Sequence, residues 1–154
     1  MGIYAAKTAV GGDRSKSEIE RTLRRYGADQ FVSGWESQGA VIMFRMNRRH
    51  IRFNLPFRAK EEFKVTAGGR RRYYQTSVDR AHEQDVRQRW RALALAIKAK
   101  LEAVHSGITS FEEEFLAHIM LPNGQTYGQF AIPQIETAYE SKTMPPLLGA
   151  GSVK

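Results

Sequence analysis

Between Asp79 and Gly107 the chain runs without a proline or an internal glycine, and its apolar residues recur at helical steps. Val86, Trp90, Leu93, Ile97, Leu101 and Val104 are spaced four, three, four, four and three apart. At roughly 100° per residue they fall in one stripe about 80° wide, which predicts a long helix laid along a core. Arg80, Arg87, Arg91 and Lys98 form a second stripe centred roughly 80 to 120° from the first. Asp79, Glu83 and Asp85 suit the positive end of the helix dipole, and Gly107 is a natural stop. The cationic stripe has two readings. It is either the solvated side of a core helix, with aliphatic stems covering apolar surface, or a row that tracks a phosphate backbone.

The chain must supply enough apolar surface for such a helix to bury itself. At 154 residues and 42% hydrophobic it suits one globular domain. Residues 1–14 read as a flexible lead-in, 15–144 as a single α+β domain and 145–154 as a disordered tail. There is no cysteine, which excludes disulfides and thiolate metal sites. The opening MGIYAAKTAVGG lacks the charged-then-apolar pattern of a leader, and no apolar run approaches a membrane span. A soluble, cytosolic protein is the expectation.

The net charge of +8 is unevenly placed. Positions 1–78 hold 16 Lys/Arg against 7 acids, positions 79–107 hold 6 against 4, and the remainder holds 2 against 5. The N-terminal half is therefore the half suited to meet a polyanion, and the acidic C-terminal third suits a protein partner or a self-interface.

Taken in order, residues 1–12 read as an extended or loose segment punctuated by Gly11-Gly12. Ser15 with Glu18, and Ser17 with Glu20, match capping boxes that would start a helix there. Ile19, Leu23 and Tyr26 give that helix an apolar edge, Arg14, Lys16, Arg21, Arg24 and Arg25 decorate the rest, and Gly27 ends it. From Gln30 to Leu55 the period changes to two, predicting strands at about 30–36, 40–46 and 49–55 in an antiparallel meander. Ile42, Phe44, Met46, Ile51, Phe53 and Leu55 would be buried. Arg45, His50, Arg52, Asn54 and Met43 would lie on the outer face, beside either Phe31 and Trp35 or Val32.

After Pro56, residues 57–78 form either a long loop or a second hairpin turning over Gly68-Gly69. Arg70, Arg71, Arg72, Tyr73 and Tyr74 are the densest basic-aromatic cluster in the chain. Such a cluster can hold phosphates through arginine and stack bases on tyrosine. Its alternative role is a solvated loop tip. Past Gly107, Thr109 with Glu112 and Ser110 with Glu113 signal a short helix using Phe111, Phe115 and Ile119 and ending near Leu121. A last helix starts at about Tyr127 or Pro133 and ends near Ser141, using Ile132, Ile135 and Tyr139.

Catalytic signatures are missing. No GxxxxGK[ST] loop, strand-linked GxGxxG or GxSxG occurs, and the four histidines show no metal-ligand spacing. No catalytic residue, metal or cofactor is expected, although a nuclease assembled from distant carboxylates such as Asp29, Glu36, Asp79 and Glu113 stays open.

Two segments, SKSEIERTLRRYGADQF and RQRWRALALAIKAKLEAVHSGITSFEEEFLAHIMLPNGQTYG, resemble a family of small proteins from the early regions of tailed phages and prophages. In that family an N-terminal helix and a β-meander precede the same R-W-R-A-L helix. The resemblance covers about Ser15 to Leu148, lends no functional residue, and implies a context near replication, recombination or host takeover inside an infected or lysogenic bacterium. The helix–three-strand–helix order is also that of the double-stranded-RNA-binding domain, without its basic helix start, so it carries no functional weight.

The expectation is a non-catalytic nucleic-acid-binding protein favouring single-stranded DNA, in phage replication or recombination. The expected contacts are Arg45, Arg52, Arg70, Arg71, Arg72, Tyr73, Tyr74, Arg87, Arg91 and Lys98. The alternative is an inhibitor or adaptor that binds a host defence or nucleic-acid-processing protein, anchored by apolar residues such as Met43, Trp35 or Tyr74. A homo-oligomer is also open, since Leu95 points nearly opposite Trp90 and would await another subunit if the C-terminal helices leave it bare.

Overall fold

The alternation read between Gln30 and Leu55 becomes a three-stranded antiparallel sheet: β1 (Gln30–Glu36), β2 (Gly39–Met46) and β3 (Arg49–Pro56), ordered β1-β2-β3. In this computed structural model residues 2–144 are described, with side chains from Gly12 onward. The expected tail at 145–154 lies outside the described residues. Asn47 and Arg48 both take positive φ, 50° and 61°, giving β2 and β3 the tight turn whose twist matches the strands. The register pairs Ile42 with Phe53, Phe44 with Ile51 and Ala40 with Leu55, so all six expected core residues of β2 and β3 are buried on one face. On β1 the same pairing places Val32 opposite Met43 on the outer face, and Phe31 opposite Phe44 on the inner one.

Helix α1 (Gly2–Arg25) and helix α2 (Gln75–His105) cover the inner face. Of the six stripe residues in α2, five are buried and Val104 is half-buried. Full burial of each such side chain is worth about 1.5–3 kcal/mol. The two helices run parallel: Gly12 faces Trp90, while Tyr26 reaches Glu102 and its ring meets His105 edge-on. A Cβ at Gly12 would come within 2.5 Å of Trp90 Nε1, so glycine is what lets the helices approach this closely.

Several boundaries differ from expectation. The loose lead-in read at the N-terminus is helical from Gly2, and the capping boxes at Ser15 and Ser17 sit inside α1. Gly11-Gly12 looked like punctuation, but each glycine costs a helix only about 1 kcal/mol, and contact with Trp90 outweighs that. Helix α2 starts four residues before Asp79, whose carboxylate instead accepts hydrogen bonds from Lys60 and Gln75.

Between β3 and α2 the chain makes the expected hairpin over Gly68-Gly69 in miniature, with a single antiparallel bridge, and it does not extend the sheet. The segment holds a 3₁₀ turn, Lys60–Lys64, and a tight reversal pinned by that bridge, between Val65 and Arg71. Helix α3 (Phe111–Phe115) is shorter than expected, and a 3₁₀ turn at Leu116–His118 follows it. Its start is the expected Ser110–Glu113 capping box, and Lys100 of α2 reaches the Glu114 side chain at 3.1 Å. Residues Ile119 and Met120 then bridge to the free edge of β3.

Helix α4 (Tyr127–Ser141) starts from a second capping box, Thr126 with Gln129, and continues through Pro133. Gly128 seats its first turn against Ala117, where a Cβ would meet the Ala117 carbonyl at 2.9 Å. Beyond that turn α4 buries little. The architecture is α+β, a helical layer on one face of a small antiparallel sheet. No described helix is long and apolar enough to cross a membrane.

Candidate nucleic-acid interface

The residues expected to contact nucleic acid fall on two sides of the molecule, because the sheet separates its own outer face from the helical layer. On the outer face the register forms cross-strand rows: Gln30, Arg45 and His50; Val32, Met43 and Arg52; Gly34, Val41 and Asn54. Arg45 is held by Asp29, its Nε donating to both carboxylate oxygens at 2.9 and 3.0 Å. The hydrogen bond from Arg45 also holds the Asp29 carboxyl below its ordinary pKa, so the pair is ionised at neutral pH. Arg52 Nε donates to Asn54 Oδ1 at 3.0 Å, and its guanidinium lies 4.0 Å from Glu36. Both sheet arginines are thus already partnered within the chain.

The basic-aromatic cluster divides. Arg72 turns inward, donating from Nη1 to the Phe63 carbonyl at 2.8 Å and weakly to that of Val65 at 3.4 Å. Those carbonyls border the reversal, and a guanidinium with several fixed donors is suited to tying them together. The arginine thus ties the loop together, beside the exposed Arg70 and Arg71. Arg70 and Arg71 stay exposed without an ion pair among the described residues, and Arg71 lies 6.0 Å over the Tyr73 ring. Tyr73 and Tyr74 are 83% and 75% exposed, unusual for large aromatics and suited to stacking.

On α2, Arg87, Arg91 and Lys98 are exposed, as is Arg80, and none makes an ion pair among the described residues. Their neighbour Arg89 behaves differently, pairing with Asp85 at 2.8 Å and donating to the Pro56 carbonyl. The one acid four residues after Lys98 is Glu102, which accepts from the Tyr26 hydroxyl instead. From Arg80 to Lys98 the row spans about 27 Å at 1.5 Å per residue.

A second row was not nominated from sequence. Arg14, Arg21 and Arg25 on α1 are exposed and form no ion pair among the described residues. They repeat the seven-then-four spacing of Arg80, Arg87 and Arg91, which keeps them on one side of α1, opposite Ile19 and Leu23. That repeated interval was the available signal. Neither row faces the sheet, so these two rows lie on the helical side, with Arg70 and Arg71 just ahead of α2; Arg48 and Arg49, at the β2–β3 turn, are also exposed and without an ion pair among the described residues.

The sheet side offers other chemistry. Val32, Trp35, Val41, Met43 and Arg52 line a shallow depression of about 310 Å³ beside the edge strand β1. Among the described residues no group of three or more His, Asp or Glu is placed to hold a metal ion. Compared with protein-family models, with curated proteins and with solved structures, the chain finds no match in any of the three.

Proposed function

We propose that this protein binds nucleic acid without acting on it chemically, through the helical side and the adjoining Arg70–Tyr74 segment. The observation that carries this reading is the gathering of unpaired cations there beside two exposed tyrosines. Unpaired Lys and Arg displace condensed counterions when they meet phosphates, which gives affinity without sequence preference. Tyr73 and Tyr74 favour single-stranded DNA, because an unpaired base offers its face for stacking and a duplex does not. The resemblance to phage early-region proteins is in keeping with a role in replication or recombination.

The test is anisotropy of labelled single-stranded and duplex oligonucleotides across a salt series. The expected result is tighter binding to the single strand, a steep loss with salt, and weakening by Arg70→Ala with Arg71→Ala. Replacing both Tyr73 and Tyr74 by Ala should weaken single-strand binding by about 1–3 kcal/mol per stacked base and leave duplex binding nearly unchanged. Absence of binding at low salt would sink the proposal.

A second reading, an adaptor or inhibitor that binds a host protein, draws on the apolar depression beside Trp35 and Val32. An exposed tryptophan in a compact apolar patch is a common anchor for protein partners. Under that reading Trp35→Ala abolishes capture of a host protein, while the arginine changes on α1 and α2 do not.

A further inference from the structure

Two apolar helix faces stay open, and they carry the same spacing. On α4, Ile132, Ile135 and Tyr139 recur at three and four, and all are exposed, Ile135 at 51%. On the outer side of α2, Ala92, Leu95 and Ala99 recur at the same interval, and all are exposed, Leu95 at 60%. Three-then-four spacing is that of a helix seam, in which residues of one helix seat between those of the other. The faces also complement each other in size, since alanines leave room that isoleucine and tyrosine fill. Pro133 lies about 100° round α4 from Ile132, flanking this stripe rather than within it.

Charge decides the partner. Arg91 and Lys98 immediately precede Ala92 and Ala99 on α2, and neither has an ion pair among the described residues. Glu136 and Glu140 immediately follow Ile135 and Tyr139 on α4, and they too are exposed and without ion pairs among the described residues. Align the helices in parallel with Ala92 against Ile132, Leu95 against Ile135 and Ala99 against Tyr139. Arg91 then takes the position whose heptad counterpart across the seam is that of Glu136.

We infer that α4 of one copy docks on the outer face of α2 in a second copy, making the protein a self-associating unit. Two such contacts related by a two-fold axis close a dimer. The inference does not rest on the nucleic-acid reading, although the two share Arg91, and it is tested without nucleic acid.

Sedimentation of the nuclease-treated full chain, over a concentration series at low salt, reads the mass directly. The expected species has twice the chain mass. Ile135→Glu and Leu95→Glu should each return it to the monomer; both positions are exposed, and circular dichroism checks that the helices persist. Arg91→Glu and Glu136→Arg should each raise the dimer dissociation constant about tenfold, and their combination should restore it. A wild-type chain that stays monomeric throughout would overturn the inference. So would a dimer that survives both glutamate substitutions, or a charge-swapped pair no tighter than either single reversal.

Discussion

On the outer face of the sheet, Arg45 is held by Asp29, and Arg52 by Asn54 and Glu36. On the helical side, Arg14, Arg21, Arg87, Arg91 and Lys98 have no such partner among the described residues. Both sides are built from arginine-rich stretches, so composition does not separate them. Local geometry does. In the sheet, cross-strand neighbours sit roughly 5 Å apart, so a carboxylate at a strand end reaches a cation across the ladder. On a helix a side chain meets mainly its neighbours three and four away. Around Arg91 those are Gln88, Arg87, Ala94 and Leu95, none of them an acid. Arg14, Arg21, Arg87 and Lys98 do have a glutamate three or four residues away (Glu18, Glu18, Glu83 and Glu102), yet none of these pairs closes among the described residues. A count of basic residues therefore overstates what the sheet can offer a polyanion.

The sharpest way to break this contrast is to strip one side at a time. Replacing Arg87, Arg91 and Lys98 by Ala removes three unpaired cations. Single-strand affinity should then drop about a hundredfold near 0.1 M salt, with the salt slope falling by about 2. Replacing Arg45 and Arg52 by Ala should change that affinity by less than about twofold, because both are already partnered. Equal losses from the two sets would erase the distinction between the faces.

Next in size is Gly12→Leu, which drives a side chain into Trp90 and pushes α1 off α2. A loss of about 1–3 kcal/mol in urea unfolding is expected. Weaker binding should accompany it, because the two basic rows would lose their relative placement.

A smaller effect should come from Asp29→Asn, which releases Arg45. Titrations in salt should show a slope steeper by at most about 0.7, the contribution of one added single-strand contact. Acid offers an independent check on the same pair. The folded-state pKa of Asp29 lies below its ordinary value of 3.8, so the pair's contribution is present above that pH and lost as pH falls through the depressed pKa. Near neutrality the pair stays closed.

The smallest effect concerns His118, whose ring stacks on Phe53 with centroids 3.9 Å apart. Burial, aided by Lys100, lowers its pKa below 6.5. The unfolded chain therefore takes up this proton first, and stability should decline as pH falls below about 6.5 towards the lowered pKa. His118→Phe should flatten that limb of the stability–pH curve.

The features legible in the sequence were those whose cause is local. Alternation from Gln30 to Leu55 gave the strands and their buried face, and the stripe from Val86 to Val104 gave the helix that covers them. The capping box at Ser110 was readable because its partner lies three residues on. What escaped depends on residues distant in the chain. Asp29 and Arg45 meet only once the register of β1 and β2 is set. Arg72 turns inward because the loop reverses and leaves carbonyls to satisfy. Gly12 passes for a helix breaker until Trp90 is known to lie against it.

The separation of the two tryptophans gives the molecule a pair of built-in optical reporters. Trp90 is 4% exposed between the helices, with the Lys16 amine 5.5 Å from its ring, whereas Trp35 is 64% exposed at the sheet edge. Emission from Trp90 should lie to the blue and resist iodide, and emission from Trp35 should lie to the red and be quenched by it. With Trp35→Phe the remaining signal follows the seam between α1 and α2, and with Trp90→Phe it follows events on the sheet face. A ligand that engages one side of the protein would thus announce which side it chose by the colour of the light it perturbs.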